Sequence, residues 1–198
     1  GSDSRIGSRF LQAGPGFGGS CFQKDILNLV YLCEHYGLPE VAAYWQQVVT
    51  LNTWQQHRLA RLVVQRLFGT VTGKRLAVLG FAFKADTNDT RESPAIRICR
   101  DLIEEGALLQ IHDPKVASSQ IARDLGPEGW SPAASPIEAA VGADAVLILT
   151  EWAVFAAIDW QEMARCLRRP AWVFDSRGII DADAARSAGL KVWRIGRG

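Results

Sequence analysis

From residue 74 onward, short apolar runs alternate with helix-periodic stretches, and no other feature of the chain restricts its fold so strongly. The runs are Leu76-Ala77-Val78-Leu79, Leu108-Leu109-Gln110-Ile111, Ala145-Val146-Leu147-Ile148-Leu149, Trp172-Val173-Phe174 and Val192-Trp193-Arg194-Ile195. All are strand-sized, and several are apolar throughout, as in strands covered on both faces. Between them, residues 94–105, 118–125, 136–141, 160–167 and 181–188 carry helical spacing. Such alternation makes a parallel sheet with helices on both faces, joined by right-handed crossovers. The expected class is α/β, a Rossmann-like doubly wound parallel sheet preceded by a long helical segment.

That preceding segment reads differently. Residues 3–22 are rich in glycine (Gly7, Gly14, Gly16, Gly18, Gly19) and lack periodicity. Leu27, Val30, Tyr31 and Glu34 open a helix that Gly37-Leu38-Pro39 ends. A second stripe runs through Val41, Tyr44, Trp45, Val48, Val49, Asn52, Leu59, Leu62, Val63 and Leu67 with no breaker inside. So long a helix, with aromatics on its stripe, is expected to pack against another domain or subunit. A two-fold homodimer is the commonest arrangement. A short hinge at residues 69–73 divides the chain into residues 1–73, glycine loop plus helices, and residues 74–198, the sheet domain.

Composition narrows the function classes. The 198 residues include 22 basic and 21 acidic side chains, a net charge of +1, which gives no electrostatic case for nucleic acid or an anionic membrane. At 48% apolar and 22% charged residues the chain is neither disordered nor a coiled coil. No apolar run is long enough to span a bilayer. Cys21, Cys33, Cys99 and Cys166 are dispersed, with no C-x-x-C pair. They suit a reducing compartment, and the expected location is cytoplasmic. Gly1-Ser2 reads as a cloning remnant, and the chain as a piece of something longer.

In an open parallel sheet, ligands bind beyond the carboxyl ends of the strands, near the switch point. The first run is followed by Gly80-Phe81-Ala82-Phe83-Lys84-Ala85-Asp86-Thr87-Asn88-Asp89-Thr90-Arg91-Glu92-Ser93, a long polar loop without the G-x-G-x-x-G dinucleotide fingerprint. Asp113-Pro114-Lys115, Thr150-Glu151-Trp152 and Asp175-Ser176-Arg177-Gly178 follow later runs. Lys84, Arg91 and Arg177 suit a phosphate-bearing ligand. Equally, they suit solvated pairs with Asp86, Asp89 and Asp175. Cys21 stands where the glycine loop meets a helix, with Lys24 close by. A thiol there ionises more readily and is a nucleophile toward carbonyl carbon; the alternative is a buried, inert thiol. His35, His57 and His112 have no partner spacing that points to chemistry.

Residues 16–25 (Gly16-Phe17-Gly18-Gly19-Ser20-Cys21-Phe22-Gln23-Lys24-Asp25) and 80–94, joined in order by the three later motifs, closely resemble the UDP-glucose 6-dehydrogenase family. The resemblance covers nearly the whole chain from Arg5 onward. It implies NAD-dependent, four-electron oxidation of UDP-glucose to UDP-glucuronate through a cysteine thiohemiacetal and thioester. By the same resemblance Cys21 is the nucleophile and Asp25 helps hold the hydrolytic water. Gln12, Ala13, Gly14, Pro15, Gly16, Phe17 and Gly18 wrap the sugar nucleotide, with Phe83, Lys84 and Arg177 contacting it. Arg5 reaches a neighbouring subunit's substrate site. Cys21, Phe22, Gln23, Lys24 and Arg91 lie near the NAD. Gln12 stands where some relatives have lysine, and Ser176 where glycine is frequent.

The family's N-terminal, fingerprint-bearing NAD domain is missing from this sequence, and so is the helix carrying the catalytic lysine and asparagine. The chain alone is therefore expected to be inactive. Alternatives at this point are another nucleotide-sugar dehydrogenase, acting on GDP-mannose or a UDP-N-acetylhexosamine, a non-catalytic nucleotide-sugar module, and a dimerisation fragment.

Overall fold

The apolar runs form the centre of a six-stranded sheet in the computed structural model, which describes residues 1–8 and 11–196. The strands are β1 (Arg75–Leu79), β2 (Leu108–His112), β3 (Trp130–Pro132), β4 (Ala145–Ile148), β5 (Trp172–Asp175) and β6 (Lys191–Arg194). The helices are α1 (Phe22–His35), α2 (Pro39–Arg66), α3 (Pro94–Glu104), α4 (Ser118–Leu125), α5 (Pro136–Ala140), α6 (Ala153–Ala156), α7 (Trp160–Cys166) and α8 (Ala182–Ser187). Every strand pair is parallel, in the order β3-β2-β1-β4-β5-β6. The order reverses between β1 and β4, so the doubly wound sheet has its switch point there.

Two elements lack the expected signal. β3 is only Trp130-Ser131-Pro132, held by pairing with β2, and its edge position tolerates the proline. α6 is a single turn anchored by buried Phe155. The other boundaries follow local chemistry. Ser93 caps α3 by accepting from the Ala95 N–H, with Pro94 in the first turn, and Asp159 and Asp181 cap α7 and α8 in the same way.

Leu76 through Leu79, Ala145 through Ile148, Val173 and Phe174 have no exposed surface, as expected of strands covered on both faces. Leu59, Ala60 and Val63 of α2, with Leu67 just past its end, join this same core. The end of α2 is thus part of the sheet's packing. A hydrogen bond between His57 Nδ1 and Asp101 Oδ2, 2.6 Å, ties it further to α3. The beginning of α2 packs instead on α1, through a small cluster of Val30, Cys33 and Ala42. So α2 spans from the α1 hairpin to the sheet, and the glycine loop that precedes α1 is laid across its middle.

Candidate active site

The switch point brings the exits of β1 and β4 into contact. Gly80 adopts φ +94°, and a Cβ there would sit 2.4 Å from Thr150 Cβ. Only glycine meets both demands. Thr150 Oγ1 donates to the Ala82 carbonyl at 2.6 Å. Asp113, just past β2, has Oδ2 accepting from the N–H groups of Phe81 (2.7 Å) and Ala82 (3.0 Å) and from Trp152 Nε1 (3.2 Å). Its Oδ1 accepts from the N–H groups of Lys115 and Val116. In a dinucleotide-binding sheet this turn offers its N–H groups to a pyrophosphate. Here a carboxylate of the protein itself takes the amides of Phe81 and Ala82.

Arg177 follows the fully buried Asp175 and Ser176 at the end of β5. Its Nε donates to the Leu149 carbonyl at 2.8 Å and its Nη2 to the Phe83 carbonyl at 3.1 Å. Its Nη1 lies 3.2 Å from Glu151 Oε2, an ion pair. Glu151 Oε1 in turn accepts from the Ala85 N–H. The Arg177 side chain is only 13% exposed. Burial lowers its pKa from the usual arginine value, and the Glu151 charge opposes that fall. Asp175 is not the partner of this guanidinium. Its Oδ1 accepts the backbone N–H groups of Arg177 and Gly178, and its Oδ2 that of Ile180.

The glycine loop closes over this mouth. A Cβ on Gly14 would approach Arg177 Nη1 to 3.2 Å. Gln55 of α2 donates to the Gly14 carbonyl, and Asn52 holds both backbone groups of Phe17: Oδ1 accepts its N–H at 2.8 Å, and Nδ2 donates to its carbonyl at 3.0 Å. Further along, Gly19 N–H donates to the Arg91 carbonyl at 2.9 Å, and Gln23 Nε2 to Glu92 Oε2 at 3.3 Å. A Cβ on Gly18 would fall 2.3 Å from the Glu92 carbonyl oxygen. The Phe17 and Phe22 rings meet edge to face at 4.6 Å.

Cys21 is the residue just before α1, exposed, with its Sγ 3.6 Å from Ser20 Oγ. Asp25 is exposed in the first turn of α1, its N–H donating to the Cys21 carbonyl. The thiol of Cys21 is therefore accessible. Cys99, by contrast, is fully enclosed, and burial pushes its pKa far above the ordinary thiol value.

Gly14, Gly18, Gln23, Phe83, the backbone of Arg91, and Arg177 thus meet directly, with buried Pro15 and with Gly16, Phe17, Cys21 and Phe22 on the same loop. Other expected residues stand apart. Arg5 is 87% exposed and paired with Asp3 at 2.7 Å. Gln12 donates to the Ser8 carbonyl, and Ala13 and Lys24 are exposed. Lys84 is exposed with Nζ 5.5 Å over the Phe83 ring. The Arg91 guanidinium pairs with Asp89 at 2.7 Å and holds that carboxyl below its usual pKa.

Sequence reasoning assigned no role to Asn52, Gln56 and Asp113. Asn52 and Gln56 lie four residues apart on the inward stripe of α2, and both are buried. Polar side chains on such a stripe need partners, and that was the available signal. Asp113 lay in the marked motif Asp113-Pro114-Lys115, but nothing local pointed its carboxylate at the amides of Phe81 and Ala82.

The profile of the UDP binding domain of the UDP-glucose/GDP-mannose dehydrogenase family matches residues 77–182, and that of the family's central domain matches residues 1–54. The chain is 50% identical to UDP-glucose 6-dehydrogenase 2 of Oryza sativa subsp. japonica and 49% identical to UDP-glucose 6-dehydrogenase of Drosophila melanogaster. All of this chain is covered in both, with 45% and 44% of the respective relatives. A solved UDP-glucose dehydrogenase from Pyrobaculum islandicum superposes with a TM-score of 0.80 at 32% identity, over 98% of this chain and 41% of that one. The chain thus spans less than half the length of the curated relatives it matches. With profiles for two of the family's domains matched in order on this architecture, the chain belongs to the UDP-glucose/GDP-mannose dehydrogenase family.

Proposed function

We propose that this chain is the carboxyl-terminal portion of a UDP-glucose 6-dehydrogenase. Residues 74–198 hold the uridine diphosphate sugar, and residues 1–73 bring the glycine loop and Cys21 over it. The observation that carries this reading is the closure of that loop on the switch point, with Gly14 against Arg177 and Gly18-Gly19 against Arg91 and Glu92. One loop thereby links the mouth that holds Arg177 to an exposed thiol.

In this mechanism Phe83, Lys84 and Arg177 contact the sugar nucleotide, and the segment from Gln12 to Gly18 wraps it. The C6 alcohol is first oxidised by two electrons to the aldehyde. The Cys21 thiolate then adds to the aldehyde carbon, forming a C–S bond and keeping the aldehyde bound. A second two-electron oxidation converts this thiohemiacetal to a thioester. Water held by Asp25 adds to the thioester carbon, the C–S bond breaks, and the products are the C6 carboxylate and the free thiol.

NAD, when bound, supplies the two-electron acceptor for each oxidation. The turn after β1 does not suit its pyrophosphate, since Asp113 already takes those amides. The first turn of α1 does, with Lys24 exposed and the Arg91 side chain 69% exposed. Phe22 and Gln23 flank that surface. The rest of the NAD site belongs to a separate N-terminal domain, so the chain alone is inactive.

Two features support a homo-oligomer. Tyr44, Leu51 and Trp54 expose apolar surface along α2, and Arg5 is exposed at the surface, paired with Asp3 of its own chain. Free cysteines support a reducing, cytoplasmic setting. Among the described residues, no helix is long and apolar enough to cross a membrane.

Thermal unfolding with and without ligand tests the substrate class. A ligand at about a hundred times its Kd adds roughly 2.7 kcal/mol to the folded state. UDP-glucose and UDP are expected to raise the midpoint, and GDP-mannose to leave it in place. A shift with GDP-mannose alone overturns the uridine assignment. NADH formation by the pure chain with UDP-glucose overturns the division between domains.

A further inference from the structure

Asn52 and Gln56 are polar side chains on the buried stripe of α2, each 7% exposed. The carboxamide of Asn52 pairs with the Phe17 backbone in both directions, as a neighbouring strand would, and Gln56 Nε2 lies 3.5 Å from the same Phe17 carbonyl. The fit is close. Gly16 adopts φ +130°, and a Cβ there would come 2.8 Å from Asn52 Oδ1 and 3.0 Å from Gln56 Cγ. One turn of a long helix has therefore been shaped to hold a single dipeptide of the glycine loop.

Cys21 lies four residues beyond Phe17. Between the two, the Gly19 N–H bond to the Arg91 carbonyl ties the loop to the other wall of the site. The loop is thus held by α2 at Gly14 and Phe17 and by the β1–α3 connection at Gly19. We propose that Asn52, seconded by Gln56, is a positioning residue: it sets the register in which the glycine loop lies over the nucleotide and delivers Cys21 to the site. The inference rests on the reading of that loop as the sugar-nucleotide and cysteine segment. It adds a consequence. Asn52 is buried on the same helix that exposes Leu51 and Trp54, so whatever covers that outer face bears on the helix that holds the loop.

The test uses the 198-residue chain with Asn52→Leu, Asn52→Asp as the milder variant that keeps an acceptor for the Phe17 N–H, and Gln47→Ala on the exposed face of α2 as control. Residue-resolved amide exchange is read at Phe17 and at Gly19, which Asn52 does not touch. A positioning role predicts that Asn52→Leu speeds exchange at both amides by about tenfold or more, and Asn52→Asp by less. Gln47→Ala is expected to change neither. Exchange faster at Phe17 alone, in both Asn52 variants, overturns the inference, because a merely local bond would do that.

UDP titration is the second readout. Weakening of about tenfold in Asn52→Leu, with the sheet's own exchange protection kept, agrees with the proposal. Unchanged affinity overturns it. If the unsubstituted chain shows no affinity for UDP, the nucleotide reading fails, and exchange at Gly19 alone decides whether Asn52 positions the loop.

Discussion

The sheet domain and the α1–α2 hairpin are both rich in apolar side chains, yet they bury them very differently. In the sheet domain one continuous core runs from Leu59 to Trp193 and encloses Phe81, Phe155 and Phe174 completely. In the hairpin the enclosed cluster is Val30, Cys33 and Ala42, while Tyr31, Tyr36, Tyr44 and Leu51 are each more than 60% exposed. A sheet covered on both faces is complete within one chain. The α1–α2 hairpin instead leaves large apolar side chains in water, the kind of surface on which the proposed association would act. The difference shows where this molecule encloses its apolar side chains within itself and where it leaves them exposed. The glycine loop lies on the seam, held from both sides.

The largest test of this contrast pairs one substitution from each region. Phe174→Ala opens a cavity in the closed core and is expected to cost about 3–5 kcal/mol in urea unfolding. Tyr44→Ala, on the open face, is expected to stay within about 0.5 kcal/mol for the monomer and to act on association instead, read by light scattering. Similar losses from the two would break the contrast.

Gly80→Ala probes the seam from the sheet side. The added methyl meets Thr150 and the backbone is held at a φ that L residues avoid, so a loss of about 2 kcal/mol in the same assay is expected. A neutral result would mean that the exits of β1 and β4 are loosely held, which would undo the picture of a rigid mouth.

The smallest effect is electrostatic and sits on the loop's far wall. Arg91 lowers the Asp89 pKa in the folded chain. The resulting stability is present in full above the unfolded aspartate value of about 3.9 and is lost as pH falls through the lower folded value. Asp89→Asn should therefore remove the pair's contribution near neutrality and flatten the acid limb of the stability profile from about pH 4 downward. An unaltered acid limb would mean that Asp89 and Arg91 do not interact in solution.

Much of the architecture was legible before any coordinates. The runs at residues 76–79 and 145–149 became β1 and β4, and residues 118–125 became α4, because a strand buried on both faces and an amphipathic helix each leave a local pattern. The glycine loop, the cysteine and the motif order were legible as well, since they are contiguous in the chain. The strand Trp130–Pro132 was not, because it has no apolar run and exists only through β2.

What the sequence determined by itself was the parallel α/β sheet, the long helix before it and the family. Tertiary structure alone decided which groups face one another. Arg177 and Phe83 are 94 residues apart, and Asn52 and Phe17 are 35 apart. Asp113 closes an amide turn some thirty residues behind it. Such bonds have no local signature: a carboxamide or carboxylate looks the same in sequence whether it faces water or a distant backbone. Only packing removes the water and makes the partner obligatory.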